Sequence, residues 1–475
     1  MSPRQSNSSR SESGASSRPG GGAPRSKGGQ RSGRGRRRRR GAEGSSALRV
    51  HADAIDPDHL HRDAKRAVKR LQVHGHEAYF VGGCVRDLLI GRRPKDFDVA
   101  TSARPSEIRS LFRNCRIIGR RFKLAHIFYG DHIIETATFR AAPGEQPTDE
   151  DDLLIVDDNE YGTAESDARR RDFTVNALFL DPTTHEILDH VGGLADLEKR
   201  NLTTIGDPNV RLAEDPVRIL RAVKFSTRLD LEIDDPTWDA MCEVAPDLDK
   251  AAAPRVLEEI FRLARSGVST AAFQMLRDCG ALEVLIPVLE TYLGVDEELP
   301  ERADPFWALL EALDERVRAG EGPAPSSGLL VAALFLLPYE LKLDELADGE
   351  TLPEGRERMS AAWDLLDDLA EKTRLPKKDH TRARKVLAAQ QNFLSPPERF
   401  SEILFARSEE FPDAFELFRL RAESTGRHAE EVEAWRARRE EARNAAPDDL
   451  DEERRRTRKR RRRRRKRGRG RSGPS

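Results

Sequence analysis

The chain has 475 residues, enough for two or three domains whose cores need no covalent staples. Four scattered cysteines with no CxxC and no His/Cys cluster read as reduced, buried thiols of a cytosolic protein, against a disulfide framework or a zinc site. No apolar run approaches the ~18 residues of a membrane span, and the N-terminus lacks the apolar stretch of a secretory signal.

The net charge of −1 hides three regions. Residues 1–49 carry 13 Lys/Arg and two acids, and residues 454–475 carry 15 Lys/Arg and none, which leaves −27 for the remainder. Two basic arms on an acidic body predict binding to polyanions, RNA foremost. The first arm is mostly Ser, Gly and Arg and cannot bury a core, so it reads as disordered.

Leu60, Ala64, Ala67, Val68 and Leu71 fall at helical spacing and predict a helix closed by Gly75. Ala78 to Val81 reads as a strand, Gly82-Gly83 as a turn into a short helix, and the next strand carries Asp96 and Asp98. Residues two apart on a strand share a face, so the two carboxylates sit side by side and Phe97 points into a core. Paired carboxylates repel unless a cation lies between them, and an all-oxygen set suits Mg²⁺. Backbone N–H groups of a Gly-Gly turn can cradle phosphates. Together these features predict phosphoryl or nucleotidyl transfer with two metal ions.

After a helix opened by Pro105, strands are expected at Cys115–Ile118, Leu124–Tyr129 and His132–Phe139. They complete a sheet of about five strands with helices on one face. The last of them carries Glu135, a candidate third acid or a solubilising edge charge. Residues 141–163 read as an acidic loop. In RRRDFTVNALFLD, Asp172 is placed to cap a helix start. Residues 208–228 read as helical with a break near Asp215, because Pro216 belongs in a first turn. Glu214, Asp215, Arg218 and Arg221 share a face that, as a bare pattern, is an ordinary salt-bridged helix surface. From Asp234 to about Asn444 the pattern is helical and shows no chemistry of its own.

GGCVRD followed by DFDVAT, with RRDFTVNAL and EDPVRILRA downstream, resembles the tRNA nucleotidyltransferase/poly(A) polymerase family of the nucleotidyltransferase superfamily. The likeness is densest from about Ala78 to Ile260. It implies an α+β chain. The expected domains are a disordered basic arm (1–49), a nucleotidyltransferase head (50–180), a neck that binds nucleotide and RNA (181–245), a helical RNA-binding body (246–445) and a disordered basic tail (446–475). By the resemblance, Asp96 and Asp98 hold two Mg²⁺, with Glu135 or Asp172 as the third catalytic acid. Gly82, Gly83, Arg86, Asp87, Arg170, Arg171, Asn176 and Arg221 belong to the nucleotide site, and Asp215 and Arg218 read the adenine of ATP. IIGRRFKLAHI, with Arg120, Arg121, Lys123 and His126, resembles the signature of the bacterial poly(A) polymerase branch. Addition of AMP from ATP to single-stranded RNA 3′ ends with little sequence preference is therefore expected of a cytoplasmic, monomeric enzyme. The RNA-degradation machinery or an RNA chaperone are its expected partners. A CCA-adding tRNA nucleotidyltransferase and a noncatalytic RNA-binding protein are the alternatives.

Overall fold

The computed structural model describes residues 47–53, 55–119, 123–141, 161–294, 304–320, 322–347, 353–397 and 400–456. Arg120, Arg121, most of the acidic 141–163 loop and nearly all of both basic arms lie outside them. Residues 447–456, at the start of the expected tail, are helical.

The head is built on strands β1 (Leu48–His51), β2 (Ala78–Val81), β3 (Val99–Thr101), β4 (Cys115–Ile118), β5 (Leu124–Tyr129), β6 (His132–Thr138), β7 (Leu178–Asp181) and β8 (Glu186–Asp189). They form one sheet in the order β1-β8-β7-β2-β3-β6-β5-β4, so the expected five strands become eight. The extra strands come from Leu48–His51 and from the Leu178–Asp189 hairpin. In sequence LFLD follows a helix start, and its apolar run carries no periodicity of its own that marks a strand. All pairings are antiparallel except β3 with β6.

Helix α1 (Arg62–Val73) forms where the pattern predicts and buries Ala64, Ala67, Val68 and Leu71. It packs on one sheet face with α2 (Gly83–Leu89) and α3 (Pro105–Leu111) around Phe80, Phe97 and Ile108. The opposite face is covered too: Val81, Ala100, Phe139 and Phe179 pack with Ala164 and Ala168 of α4 (Ala164–Arg169). Helices therefore lie on both faces rather than one. Only Cys84 and Cys279 are buried; Cys115 is half-buried and Cys242 exposed.

Helix α5 (Gly193–Lys199) leads into the neck, made of α6 (Pro208–Glu214) and α7 (Val217–Leu229). The predicted break is there, with Pro216 as the N-cap of α7. Helices α8 (Asp235–Val244), α9 (Ala253–Ala264) and α10 (Ser269–Asp278) begin a body that continues as helices to Asn444. Neck and body share one apolar core. Among the described residues, no helix is long and apolar enough to cross a membrane.

Candidate active site

Asp96 and Asp98 lie in the extended segment entering β3, not inside the strand. The Asp98 carbonyl accepts a 3.0 Å bond from Val81 N–H, so the segment is still laddered to β2 and keeps its alternation. Phe97 turns inward, as expected, onto Phe80 at 5.1 Å between ring centres. The parallel register Val99↔Thr136 brings Glu135 alongside Asp98.

A cleft of about 710 Å³ opens over these acids, lined by Asp96, Asp98, Glu135, His61, Lys95, Asp131 and, from the body, Arg262. Asp98 keeps a solvent-facing edge but sits against protein walls. That desolvation, then the charge of Glu135, then that of Asp96, push its carboxyl up to about 6 against an opposing pull from Arg171. The three carboxylates thus share one field. His126 stands 3.6 Å from Glu135 across the β5–β6 pair. Lys123 is exposed.

The Gly82-Gly83 turn needs glycine at its first position, where φ is +72° and an added Cβ would meet Arg171 Nη1 at 3.1 Å. Arg86, expected in the nucleotide site, is buried. It donates to Asp87 at 2.6 and 3.0 Å and to the Asn176 side-chain oxygen at 2.5 Å. Arg86, Asp87 and Asn176 are thus bonded to one another beside the turn. Asp172 does not cap a helix either. A short 3₁₀ turn over Thr174–Asn176 follows, and the Asp172 carboxylate takes bonds from Phe173 N–H, Asn176 Nδ2 and, at 2.8 and 2.5 Å, the guanidinium of Arg221. Burial alone would raise its pKa; Arg221 and these donors outweigh that and hold it below the usual carboxylate range.

Arg171 donates to Asp167 at 2.9 Å and to the Asn176 carbonyl at 3.3 Å, and its charge reaches Asp98. Arg170 lies 3.9 Å from Asp167. In the neck, Arg218 is buried against Glu214 at 3.2 Å and the Arg211 carbonyl. Arg211 also donates to the carbonyls of Arg170 and Arg171 at 2.7 and 2.9 Å, locking α6 to their loop. Asp215 is held by Arg255 of α9 in a two-bond fork of 2.9 and 2.7 Å.

The structure thus joins GG, RRDFT and the neck helix in one chain of polar contacts from Asp87 through Arg86, Asn176 and Asp172 to Arg221. The chain continues to Glu259, which accepts from Lys224 at 2.6 Å and Arg262 at 2.8 Å and lies 3.9 Å from Arg221. Sequence reasoning missed Arg211, Arg255, Glu259 and Arg262, which look like solvated helix charges. A hint lay in the i, i+3 and i+4 spacing of Arg211, Glu214 and Arg218.

An all-oxygen set of mutually repelling carboxylates, with Asp98 raised by its neighbours, is the donor chemistry a hard divalent cation relieves. No tight cluster of three or more metal-ligating side chains occurs among the described residues.

Residues 78–203 match the family model described as poly A polymerase head domain. Residues 230–293 match "probable RNA and SrmB-binding site of polymerase A", and residues 352–469 match "polymerase A arginine-rich C-terminus". The chain is 37% identical over 392 residues to poly(A) polymerase I of Haemophilus influenzae, covering 80% of this chain and 85% of that one. It is 34% identical over 256 residues to a CCA-adding enzyme of Limosilactobacillus reuteri, covering 52% and 62%. The crystal structure of the Bacillus stearothermophilus CCA-adding enzyme in complex with CTP aligns with a TM-score of 0.56 at 25% identity, over 79% of this chain and 81% of that one.

Proposed function

The chain belongs to the poly(A) polymerase family, and from that premise we propose that it adds AMP from ATP to RNA 3′ ends without a template. The observation that carries the reading is the convergence of Asp96, Asp98 and Glu135 in one cleft within the electrostatic reach of Arg171.

Asp96 and Asp98 would hold Mg²⁺, with Glu135 close enough to take part. When bound, the metal supplies charge stabilisation at the α-phosphate and at the departing pyrophosphate. Arg171 and Arg170 face the triphosphate beside the Gly82-Gly83 backbone. Arg86, Asp87 and Asn176 keep that backbone in place, and Asp172 aims Arg221. Asp215 and Arg218 read the adenine edge, where an unmatched base leaves polar groups unpaired. Arg262 brings the body to the cleft. His126 and Lys123 belong to the poly(A)-type signature. The enzyme works in the cytoplasm as a monomer on single-stranded RNA of little sequence preference, with the RNA-degradation machinery or an RNA chaperone as partners.

Incubation with Mg²⁺, a generic single-stranded RNA or a tRNA lacking its CCA end, and ATP, CTP or both tests this. Long ATP-dependent ladders on either RNA are expected. Two C and one A added only to the tRNA would move the chain to CCA addition, the activity in the names of several relatives.

A further inference from the structure

Helix α1 starts at the catalytic cleft and leads away from it. His61, its N-cap, lines the cleft and packs edge-on against His132 at 4.9 Å. Beyond it the exposed Arg62, Arg66 and Arg70 recur every fourth residue and so form one ridge. At ~1.5 Å per residue the ridge carries positive charge about 13 Å from the cleft. It ends at a second hollow of about 450 Å³, lined by Arg70, Phe112, Arg113, Asn114, Phe128 and Tyr129.

Guanidinium groups alternate with rings along this path. Arg66 stands over Tyr129 at 5.7 Å, Arg70 over Phe112 at 5.4 Å and Arg116 over Phe128 at 5.8 Å. Residues 61–73 and 104–116 hold nine Lys/Arg and two acids, in a chain that is otherwise acidic between its arms. Of those acids, Asp63 is 3.2 Å from Arg66, and Glu107 caps the Arg104 N–H at 2.7 Å. Arg70 and Arg113 form no ion pair among the described residues, and both are exposed. Gathering these charges costs repulsion across the surface, which the ring contacts and the two acids offset only in part. A flexible polyanion with flat bases satisfies both halves of the pattern, phosphates on the arginines and a base against a ring.

We propose that the α1 ridge and the hollow at its end form a track for the single-stranded RNA segment upstream of the 3′ end. The proposal rests on the RNA 3′-end reading above. The phosphates follow Arg62, Arg66 and Arg70, and a base enters the hollow between Arg113 and Tyr129.

The test is anisotropy titration of the full chain, without nucleotide, with labelled oligoadenylates of about six and about 24 nucleotides over a salt series. The Arg70→Gln/Arg113→Gln variant loses about tenfold in affinity for the long RNA, its salt slope falls by about 1 to 2, and affinity for the short RNA changes less than about twofold. Arg454→Gln/Arg455→Gln removes the same charge from the basic tail and weakens the short and the long RNA by the same factor, so their affinity ratio is kept. Tyr129→Leu keeps every charge and weakens the long RNA by about five- to tenfold. A long-to-short affinity ratio that falls equally in the two double variants, or in neither, overturns the track. So does unaltered RNA binding combined with lost binding of polyglutamate by the Arg70/Arg113 variant, which assigns the surface to an acidic protein. Because nothing is polymerised in this assay, a chain that extends no RNA refutes the adenylation reading and leaves the length dependence to be read separately.

Discussion

The junction of head and neck and the helical body are held by opposite means. At the junction, charge is buried and paired, from Asp87 and Arg86 through Asp172 and Arg221 to Glu259 and Lys224. In the body, the helix Ser327–Ala347 buries eleven consecutive residues from Gly328 to Pro338, all of them nonpolar. Buried ion pairs gain little net stability over apolar packing, but they are directional and penalise misplacement heavily. The junction therefore spends stability on geometry, and the body supplies the stability.

The largest effect that can break this contrast is at the cleft. Asp98→Ala should cut AMP incorporation at least about a thousandfold, since several kcal/mol of transition-state stabilisation depend on the charge it holds. RNA retention in a filter assay should persist, and incorporation near the wild-type rate would remove Asp98 from the chemistry.

Next comes a pair of stability measurements. Glu259→Ala strands Lys224 and should cost about 3–5 kcal/mol in denaturant unfolding. Phe335→Ala in the body should cost a similar ~3–5 kcal/mol by opening a cavity. Only the first should also lower kcat/KM at a temperature where both variants are folded, because Arg221 and Arg262 lose their anchor. Replacing both partners, Lys224→Met with Glu259→Leu, should recover most of the stability and little of the activity. Recovery of both would make the junction mere packing.

pH sharpens the contrast further. The Asp98 pKa is raised from 3.8 to about 6, so its ionised form is disfavoured by the fold. This group thus destabilises the metal-free protein above about pH 6, and the penalty fades as pH falls toward 4. Mg²⁺ should raise Tm at pH 7 and progressively less below pH 6; a metal shift independent of pH would separate Asp98 from the metal. Asp172 runs the other way. Its pKa is lowered, so its contribution is fully present above the unfolded value near 3.8 and is lost as pH falls below it.

The smallest effect is at Arg255, half-exposed on α9. Arg255→Ala should change stability by less than about 1 kcal/mol. By freeing Asp215 it should lower the KM for ATP about threefold with kcat unchanged. An unaltered KM in steady-state assays would mean the fork does not compete with the base.

The fold class and the family were legible in the sequence because the relevant residues are local. GGCVRD and DFDVAT lie within one strand-turn-helix-strand unit, and α1 announces itself by its apolar spacing. What was not legible was long-range. Nothing local in GGCVRD announces that Arg86 donates to Asn176, ninety residues away. Asp172 looks like a cap until Arg221 arrives from another helix. Glu259 and Arg255 carry no signal at all, since a charge on an amphipathic helix reads as solvated whatever faces it. The strands β1 and β7 escaped for a related reason, as their pairing is set by partners rather than by pattern.

One consequence lies in the parallel ladder of the head sheet, Val99↔Thr136. Along β6 the buried Ile134 alternates with the exposed Glu135. A slip of one residue would turn Ile134 to water and drive Glu135 into the core beneath α1. The spacing of the cleft carboxylates is thus not set at the cleft. It is inherited from the apolar side of the sheet, which cannot close unless the acids are already in line, so misthreaded chains are rejected as unfolded before they can accumulate as folded but inactive enzyme.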